Sequence, residues 1–359
     1  MFKSPASTFK TFFFLSIGIL IFGDVMVFSA AQVLGLKDGG NSFSVSWKQI
    51  LISIAAFAGA WLIAQFPLKT IKIIAHRSLG IAVLVMLLLI PFGRDVNGNT
   101  NWISVGPIDF QPSEVAKVFI ILWAAYIIEN NYGNARKITS SLVIGFSLVL
   151  LVVLKGGDLG SAVVIGLILM TLIYLAGADI KVIAAFSALG ALGVAALVFS
   201  ASYRIDRFTA FVHPFADGVY KNAGWQPAHS LIALGSGGLF GSGIGAGKQK
   251  WGNLAEAHTD FIFGVIGEEF GLFGTLVTVT ALSLLVFSII KIALSAKDTF
   301  SRYLGLGIAF WIGFQSLINL ASATSLIPVV GVTLPFISYG GSSLLALGGA
   351  LGFVAGIAL

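Results

Sequence analysis

The chain has 359 residues, of which 57% are hydrophobic and 10% are charged, and its net charge is +6. A water-soluble domain cannot bury so large an apolar fraction, so the composition indicates a membrane protein and excludes a soluble one. Cys is absent, which excludes disulfides, thiolate metal sites and cysteine nucleophiles. The scattered Lys and Arg residues fit membrane topology and anionic lipid head groups, and nucleic acid is not an expected partner.

Ten apolar segments predict an all-α polytopic membrane protein with one transmembrane domain over residues 1–359. The first segment resembles a secretory signal, but its apolar run is long and further spans follow, so we interpret it as a membrane helix. The predicted spans are residues 11–34, 47–66, 78–93, 112–129, 139–155, 158–177, 182–200, 260–291, 303–325 and 340–358.

The distribution of basic residues predicts that both termini lie in the cytoplasm, since an even number of spans places them on one side. In this orientation eleven Lys and Arg lie inside, against four in the short outer loops. The longest loop, about residues 201–259, then lies outside, as does the loop 94–111. We expect a functional site on this outer side, because the long loop offers enough chain to build one.

The motif FQPSEVAK, residues 110–117, places two charges at the start of the fourth span. Pro112 suits the first turn of a helix, and Glu114 and Lys117 share a helix face at a spacing at which they can form an ion pair. The pair either stabilises the helix start or orients a polar substrate, because paired charges at membrane depth are costly. The spacing leaves both interpretations open.

The segment NLAEAHTDFIFGVIGEE, residues 253–269, concentrates carboxylates where the eighth span begins. Asp260 is either an N-cap of this helix or a partly desolvated base with a raised pKa. One of the deeper Glu268 and Glu269 is expected to meet a basic group inside the bundle. Small residues continue the face of Asp260 and would admit a partner helix or a lipid chain; they are Gly264, Gly267, Gly271 and Gly274.

Several other polar residues of the long loop are candidates for a binding site. His258 and Glu256 could ligate a metal, but hydrogen bonding within the loop explains them better. Basic residues near the two ends of this loop suit the binding of a pyrophosphate, although snorkelling at the membrane interface explains any one of them as well. These basic residues are Arg204, Arg207, Lys248 and Lys250.

Two further segments interrupt the apolar pattern. LPFISYGGSSLL, residues 334–345, breaks backbone regularity at a proline and at Gly340, beside the hydroxyls of Ser338 and Ser342. Irregular backbone at membrane depth is tolerated where it lines a cavity. Asp158, in KGGDLGSA, either caps the sixth span or joins that cavity.

These motifs together resemble the SEDS family (shape, elongation, division and sporulation) of bacterial membrane proteins, in order, from about residue 17 to the C-terminus. They are FQPSEVAK, GDLGSA, SLIALGSGGLFGSGIG, LAEAHTDFIFGVIGEEFG and LPFISYGGSS. GDVMVFSAA near the start and GKQKWGNLAEAHTDFIF are more similar to the division branch of the family than to its elongation branch.

The resemblance implies a peptidoglycan glycosyltransferase in the bacterial inner membrane, with its active site facing outward. Its acceptor would be lipid II and its donor the growing glycan on undecaprenyl pyrophosphate. Its expected partners are a class B penicillin-binding protein, which is a transpeptidase, other division or elongation proteins, and membrane lipid. No cofactor is certain, and a divalent cation (Mg²⁺ or Mn²⁺) could help to neutralise the pyrophosphate.

The resemblance also assigns roles to residues. Asp260 would be the general base, and Glu114 and Lys117 would be functionally important. The family motif Q-x-x-Q-S reads Gln226 to Ser230 here, with His229 at a usual Gln position. Asn101 stands before Trp102 where the family often has Arg, which puts one anion contact in doubt.

The competing interpretation is a lipid II flippase. A flippase needs polar groups along the membrane depth and some symmetry between two halves, whereas the polar residues here concentrate on the predicted outer side and no internal repeat is visible. A scaffold that only holds division partners together would leave Glu114, Lys117 and Asp260 without a shared purpose.

Overall fold

The computed structural model describes residues 5–37, 43–96, 99–105, 108–199 and 202–359. Helices dominate this part of the chain, and one small sheet lies between the fourth and fifth of them. The helices are α1 (Pro5–Lys37), α2 (Ser44–Ala64), α3 (Leu68–Leu87), α4 (Leu89–Phe92), α5 (Pro112–Asn130), α6 (Ala135–Lys155), α7 (Leu159–Leu175), α8 (Ile180–Phe199), α9 (Ser202–Val212), α10 (Trp225–Ser236), α11 (Ile262–Ser295), α12 (Thr299–Ala323) and α13 (Gly341–Ala358).

The structure confirms the predicted all-α polytopic class. In the described part of the chain, seven helical segments are long and apolar enough to cross a membrane: residues 7–32, 44–64, 68–92, 135–155, 262–295, 299–323 and 341–358. Helices α5, α7 and α8 occupy the other three predicted spans. The number of crossings and their orientation stay predictions.

The third span begins ten residues earlier than predicted, at Leu68 rather than 78. These ten residues are almost three helical turns, and they carry Lys69, Lys72 and Arg77. Long basic side chains can extend their charge beyond the apolar part of a helix, and Lys72 Nζ lies 2.7 Å from Glu129 Oε1 at the end of α5. The helix therefore tolerates these charges.

Helices α5 and α12 form the centre of the bundle. Trp311, Ile308 and Ile312 of α12 are buried, as are Ile120 and Ile121 of α5. A helix that is apolar on all sides is expected where other helices surround it. The polar residues at one end of these two helices are consequently held in a rigid frame.

The predicted loop 94–111 forms a three-stranded antiparallel sheet in the order β1 (Arg94–Val96), β2 (Asn99–Val105) and β3 (Ile108–Phe110). Its backbone is tied to the α6–α7 turn, because Thr100 N donates to Gly156 O at 3.0 Å. The strand β3 leads directly into α5, so the sheet fixes the direction from which the chain enters the motif with Glu114.

The segment predicted as one long loop, about residues 201–259, contains regular secondary structure. It contains α9, α10 and a short 3₁₀ helix, Gln249–Trp251. Helix α10 lies beside the start of α11 and runs in the same direction, since Ser230 lies against Gly264 and Leu234 against Gly267. The chain then returns along α11, with Ser242 N and Gly243 N donating to Glu268 O and Glu269 O at 2.9 and 3.0 Å.

This packing corrects the expectation that the glycine face of α11 admits a lipid chain. Gly264 lies against Ser230, Gly267 against Leu234, and Gly271 against the backbone of residues 239–241. The small residues let α10 and its following turn approach closely. The face is occupied by the protein itself and is not open to a lipid chain.

Candidate active site

The peptide that carries Asp260 is fixed by three hydrogen bonds to its carbonyls. The carbonyl of His258 accepts from Tyr339 N at 2.8 Å, and that of Thr259 accepts from Ser338 Oγ at 2.6 Å. The carbonyl of Asp260 itself accepts from Asn319 Nδ2 at 2.8 Å. The donors come from α12 and from the irregular segment before α13. Buried backbone groups need partners of this kind, and here they also hold Asp260 in one place.

Asp260 does not cap α11, contrary to one of the two predicted roles. The helix begins at Ile262, its N-cap residue is Phe261, and the cap has no side-chain hydrogen bond. The Asp260 side chain is surrounded by protein on most sides but keeps part of its surface open to a cavity. Its peptide is held by Asn319 while its carboxylate is left available.

The surroundings of Asp260 raise its pKa from 3.8 to about 7. Burial is the largest cause, because it disfavours the charged form. The negative charge of Glu256 adds to the effect, the positive charge of Arg207 opposes it, and Asp158 raises the pKa further. A carboxylate with such a pKa is suited to accept a proton near neutral pH.

The cavity beside Asp260 has a volume of about 1480 Å³, which exceeds the space that a small-molecule ligand needs. One end is polar and is lined by Asp260, Asp158 and Glu114. The other end is apolar and is lined by side chains from α6, α7 and α8; they are Val143, Leu150, Leu154, Val163, Leu167, Met170, Ile183 and Phe186. The cavity thus suits an amphiphile with a polar head and a long apolar tail.

Glu114 and Lys117 form the predicted ion pair, with Lys117 Nζ 2.7 Å from Glu114 Oε1 and both side chains buried. Lys117 also donates to Gln315 Oε1 at 2.7 Å, as does Trp311 Nε1 at 2.8 Å. Glu114 Oε2 is buried without a partner among the described residues, and Glu114 lines the cavity. An unpaired buried oxygen is costly, and a ligand hydroxyl or N–H group in the cavity would satisfy it.

Asp158 takes both of the roles predicted for it. Its Oδ1 accepts from Ser161 N at 3.0 Å as the N-cap of α7. Its Oδ2 accepts from Ser113 Oγ and Gln111 Nε2 at 2.7 and 2.9 Å. Since Asp158 also lines the cavity, it links the start of α5 to the start of α7 at the polar end.

Other predicted residues divide between the cavity and its frame. Arg207, Gln226, His258 and Gly340 line the cavity. Ser342 accepts from Gln111 N at 3.1 Å, and Ser230 donates to Ala323 O at 2.7 Å, so these two hydroxyls act within the frame. The backbone of Arg204 lies in α9, but its side chain is outside the described part.

Lys250 does not face the cavity, which corrects its assignment as a pyrophosphate ligand. Its Nζ lies 2.6 Å from Glu269 Oε1, and neither side chain has exposed surface. The prediction placed Lys250 in an open loop, whereas the return of the chain along α11 buries it. The same contact confirms that one of the paired glutamates meets a basic group inside the bundle.

The pair His258 and Glu256 is explained by local contacts. Glu256 Oε2 accepts from Thr259 Oγ1 at 2.8 Å, and the His258 ring lies 5.6 Å from that of Tyr339. Burial lowers the pKa of His258, which favours its neutral form. Among the described residues, no three His, Cys, Asp or Glu side chains come together as metal ligands.

Asn319 and Gln315 also belong to this site, although neither was predicted from the sequence. They lie one helical turn apart on the buried face of α12, and Asn319 also donates to Val332 O at 2.6 Å. Gln315 Nε2 donates to Thr333 O at 3.2 Å. Two amides one turn apart in a predicted membrane span were a visible signal, because such side chains need partners at membrane depth.

Comparison with known proteins identifies the family of this chain. A profile of the FtsW/RodA/SpoVE family of cell cycle proteins matches residues 9–359. The chain belongs to this family. It is 36% identical to a probable peptidoglycan glycosyltransferase FtsW of Geobacter sp. strain M18, over 92% of this chain and 91% of the relative. A second such protein, from Haemophilus influenzae, is 34% identical over 96% of this chain and 89% of the relative.

Two solved structures share the family fold. One is a chain of a peptidoglycan synthase complex that coordinates polymerization and crosslinking; it has a TM-score of 0.78 and 26% identity, and the match covers 97% of this chain and 96% of that one. The other is the rod shape determining protein RodA of Thermus thermophilus, with a TM-score of 0.71 and 27% identity over 97% and 95% of the two chains. The fold of this FtsW/RodA-family chain is therefore shared along nearly its whole length.

Proposed function

We propose that this chain polymerises lipid II into glycan strands at the outer face of the bacterial cytoplasmic membrane, with Asp260 as the general base. Its family membership establishes the general activity of a peptidoglycan glycosyltransferase. One structural observation supports the role of Asp260: its peptide is held by three hydrogen bonds while its carboxylate faces the cavity with a pKa raised to about 7.

The other buried carboxylates of the region contrast with Asp260. Glu114 and Glu269 are paired with lysines, Glu268 accepts backbone N–H groups, and Asp158 accepts three hydrogen bonds. In the described part of the chain, no protein donor is seen on the Asp260 carboxylate. Strong perturbation of one acid in a cavity, beside acids that are held by ion pairs or hydrogen bonds, is typical of a functional group.

The proposed reaction is an inverting displacement. A hydroxyl of the acceptor sugar, on lipid II, attacks the anomeric carbon of the donor glycan while Asp260 takes the hydroxyl proton. The new glycosidic C–O bond forms as the bond from the anomeric carbon to the pyrophosphate oxygen breaks, and undecaprenyl pyrophosphate leaves with the bonding electrons. One carboxylate suffices, because a neutralised pyrophosphate leaves without a general acid.

The cavity has the features that this substrate class requires. Arg207 lines its polar end and supplies positive charge toward the pyrophosphate. The apolar wall of α6, α7 and α8 fits the polyprenyl tail, in place of the glycine face of α11. The described residues offer no three-ligand metal site, so a Mg²⁺ or Mn²⁺ ion stays a prediction, tested by activity after EDTA and metal addition.

The proposed partner is a class B penicillin-binding protein. The structural relative with the TM-score of 0.78 comes from a complex that coordinates polymerization and crosslinking, and a transpeptidase would supply the crosslinking step to this chain. The division role is favoured over elongation, because the two FtsW relatives are 36% and 34% identical to this chain, whereas the RodA of Thermus thermophilus is 27% identical.

The experiment is polymerisation of lipid II by the purified chain with its cognate transpeptidase, with the products separated by length. We expect polymer from the wild type and none from Asp260→Ala. Asp217→Asn is the matched control, since Asp217 is exposed in the same predicted outer segment and does not line the cavity. Polymer formed by folded Asp260→Ala at the parental rate would refute the base. Transfer of lipid II across vesicles without polymer would support the flippase instead.

A further inference from the structure

A buried polar cluster lies about two helical turns beyond the start of α11, outside the cavity. Lys250 Nζ contacts Glu269 Oε1 at 2.6 Å and Ser29 Oγ at 2.7 Å. Ser29 Oγ in turn lies 2.7 and 2.8 Å from the two carboxylate oxygens of Glu269. All three side chains are buried, and they come from α1, the 3₁₀ helix and α11. We call them the Ser29–Lys250–Glu269 cluster.

The cluster joins the two ends of the segment that contains Asp260. Lys250 precedes Asp260 by ten residues and Glu269 follows it by nine. The neighbouring Glu268 strengthens the junction, since its Oε1 accepts from Lys248 N at 2.7 Å. Its Oε2 accepts from the N–H of Gln249 at 3.1 Å.

We propose that Ser29, Lys250 and Glu269 are positioning residues for Asp260: by holding residues 250 and 269 together against α1, they set where the Asp260 carboxylate lies in the cavity. This inference rests on the proposed role of Asp260 as base. Hydrogen bonds from Asn319 and Ser338 restrain the peptide from the side of α12 and the segment before α13. The cluster restrains it from the opposite end, through the chain itself.

The chemistry of the cluster is costly for a purely structural contact. The free-energy cost of removing two charges from water is offset only by close contacts and full hydrogen bonding. Apolar residues of similar volume often stabilise a fold as well or better. The pair does fix one geometry, because the ammonium and the carboxylate meet at a single distance and Ser29 satisfies both. A displacement of about 1 Å in a catalytic group can cost on the order of 100-fold in rate, so such a fixed geometry serves Asp260.

The test uses three variants of the full chain with its cognate transpeptidase and lipid II. Ser29→Ala removes the hydroxyl and leaves the ion pair. Lys250→Met/Glu269→Leu removes both charges together, which avoids the unfolding expected when one buried charge is left alone. Lys72→Met is the matched control, since it breaks the 2.7 Å pair with Glu129 at a distant, partly exposed position.

We expect kcat to fall about tenfold for Ser29→Ala and on the order of 100-fold for the double variant, with KM for lipid II within about twofold of the parent. The midpoint of the acidic side of the pH profile should move to lower pH, because a looser segment lets water reach Asp260. The control Lys72→Met should change neither kcat nor the midpoint.

Two results would overturn the inference. One is a folded double variant with the parental kcat and pH midpoint. The other is a loss of activity that matches the loss of folded protein while the midpoint stays in place, because that is the signature of stability alone. Asp260→Ala separates this inference from the proposed function: an active Asp260→Ala refutes the base itself, whereas an inactive Asp260→Ala beside an active double variant refutes only the positioning.

Discussion

The rate of glycan polymerisation should rise with pH, reach half of its maximum near pH 7 and level off above about pH 8. A general base works only when it is ionised, and the pKa of Asp260 is raised to about 7 by burial and by the charge of Glu256. With this pKa about one-eleventh of the molecules carry the ionised base at pH 6, and about one-hundredth at pH 5. An aspartate with the ordinary value of 3.8 would be almost fully ionised at both.

Two substitutions should move this profile in opposite directions. Glu256→Gln removes a negative charge that raises the pKa of Asp260, so the acidic side of the profile should shift to lower pH. Arg207→Gln removes a positive charge that lowers the same pKa, so the profile should shift to higher pH. Because Arg207 also lines the cavity, its variant should lose activity on the plateau as well.

The assay measures initial rates of lipid II polymerisation from pH 5 to 9 at saturating substrate. Enzyme returned to pH 8 after exposure to pH 5 provides the control for irreversible inactivation. A rate that changes less than twofold between pH 5 and pH 8 would refute the assignment of a neutral-pH base. Shifts of the same sign in Glu256→Gln and Arg207→Gln would show that their charges do not act on Asp260.

Three further changes test the frame of the site by thermal unfolding or by rate. Asp260→Asn should raise the Tm at pH 8 and leave it unchanged below pH 4. The pKa of Asp260 is higher in the folded than in the unfolded chain, so the parent protein loses stability as pH rises through about 7. The variant does not, because its amide cannot ionise. Lys117→Met should cost about 3–5 kcal/mol by leaving Glu114 buried and unpaired, and Glu114→Gln in the same chain should recover most of it. Asn319→Leu should lower kcat on the order of tenfold, because two buried carbonyls lose their donor.

The features that the sequence predicted well depend on local spacing. Glu114 and Lys117 form an ion pair because three residues along a helix bring side chains together. Asp158 caps α7 because it directly precedes an apolar helix. In each case the interacting groups lie within one helical turn, so the sequence itself defines their geometry.

The features that the sequence predicted poorly depend on contacts between distant segments. Lys250 looked like a loop cation, because nothing in its local sequence shows that the chain turns back along α11 and brings it to Ser29 and Glu269. The glycine face of α11 looked open for the same reason, although α10 covers it. A small-residue face indicates close packing, but not whether the neighbour is protein or lipid.

The orientation of the chain yields a last prediction, since the proposed reaction requires the Asp260 cavity to open outward. The chain has no Cys, so a single engineered thiol reports its own position. Asp217→Cys and Tyr132→Cys replace exposed residues in segments predicted to lie outside and inside, respectively. A membrane-impermeant maleimide should label Asp217→Cys in spheroplasts, and Tyr132→Cys only after the membrane is permeabilised.

The reverse labelling pattern would place the cavity on the cytoplasmic side and refute outward polymerisation by this chain. Labelling of both thiols in intact spheroplasts would instead indicate leaky membranes, which a cytoplasmic marker enzyme detects independently. The positive-inside argument rests on eleven basic residues against four in the short loops. Labelling of Asp217→Cys in intact spheroplasts would therefore confirm the orientation predicted from the basic residues, and with it the side of the membrane on which Asp260 meets its substrate.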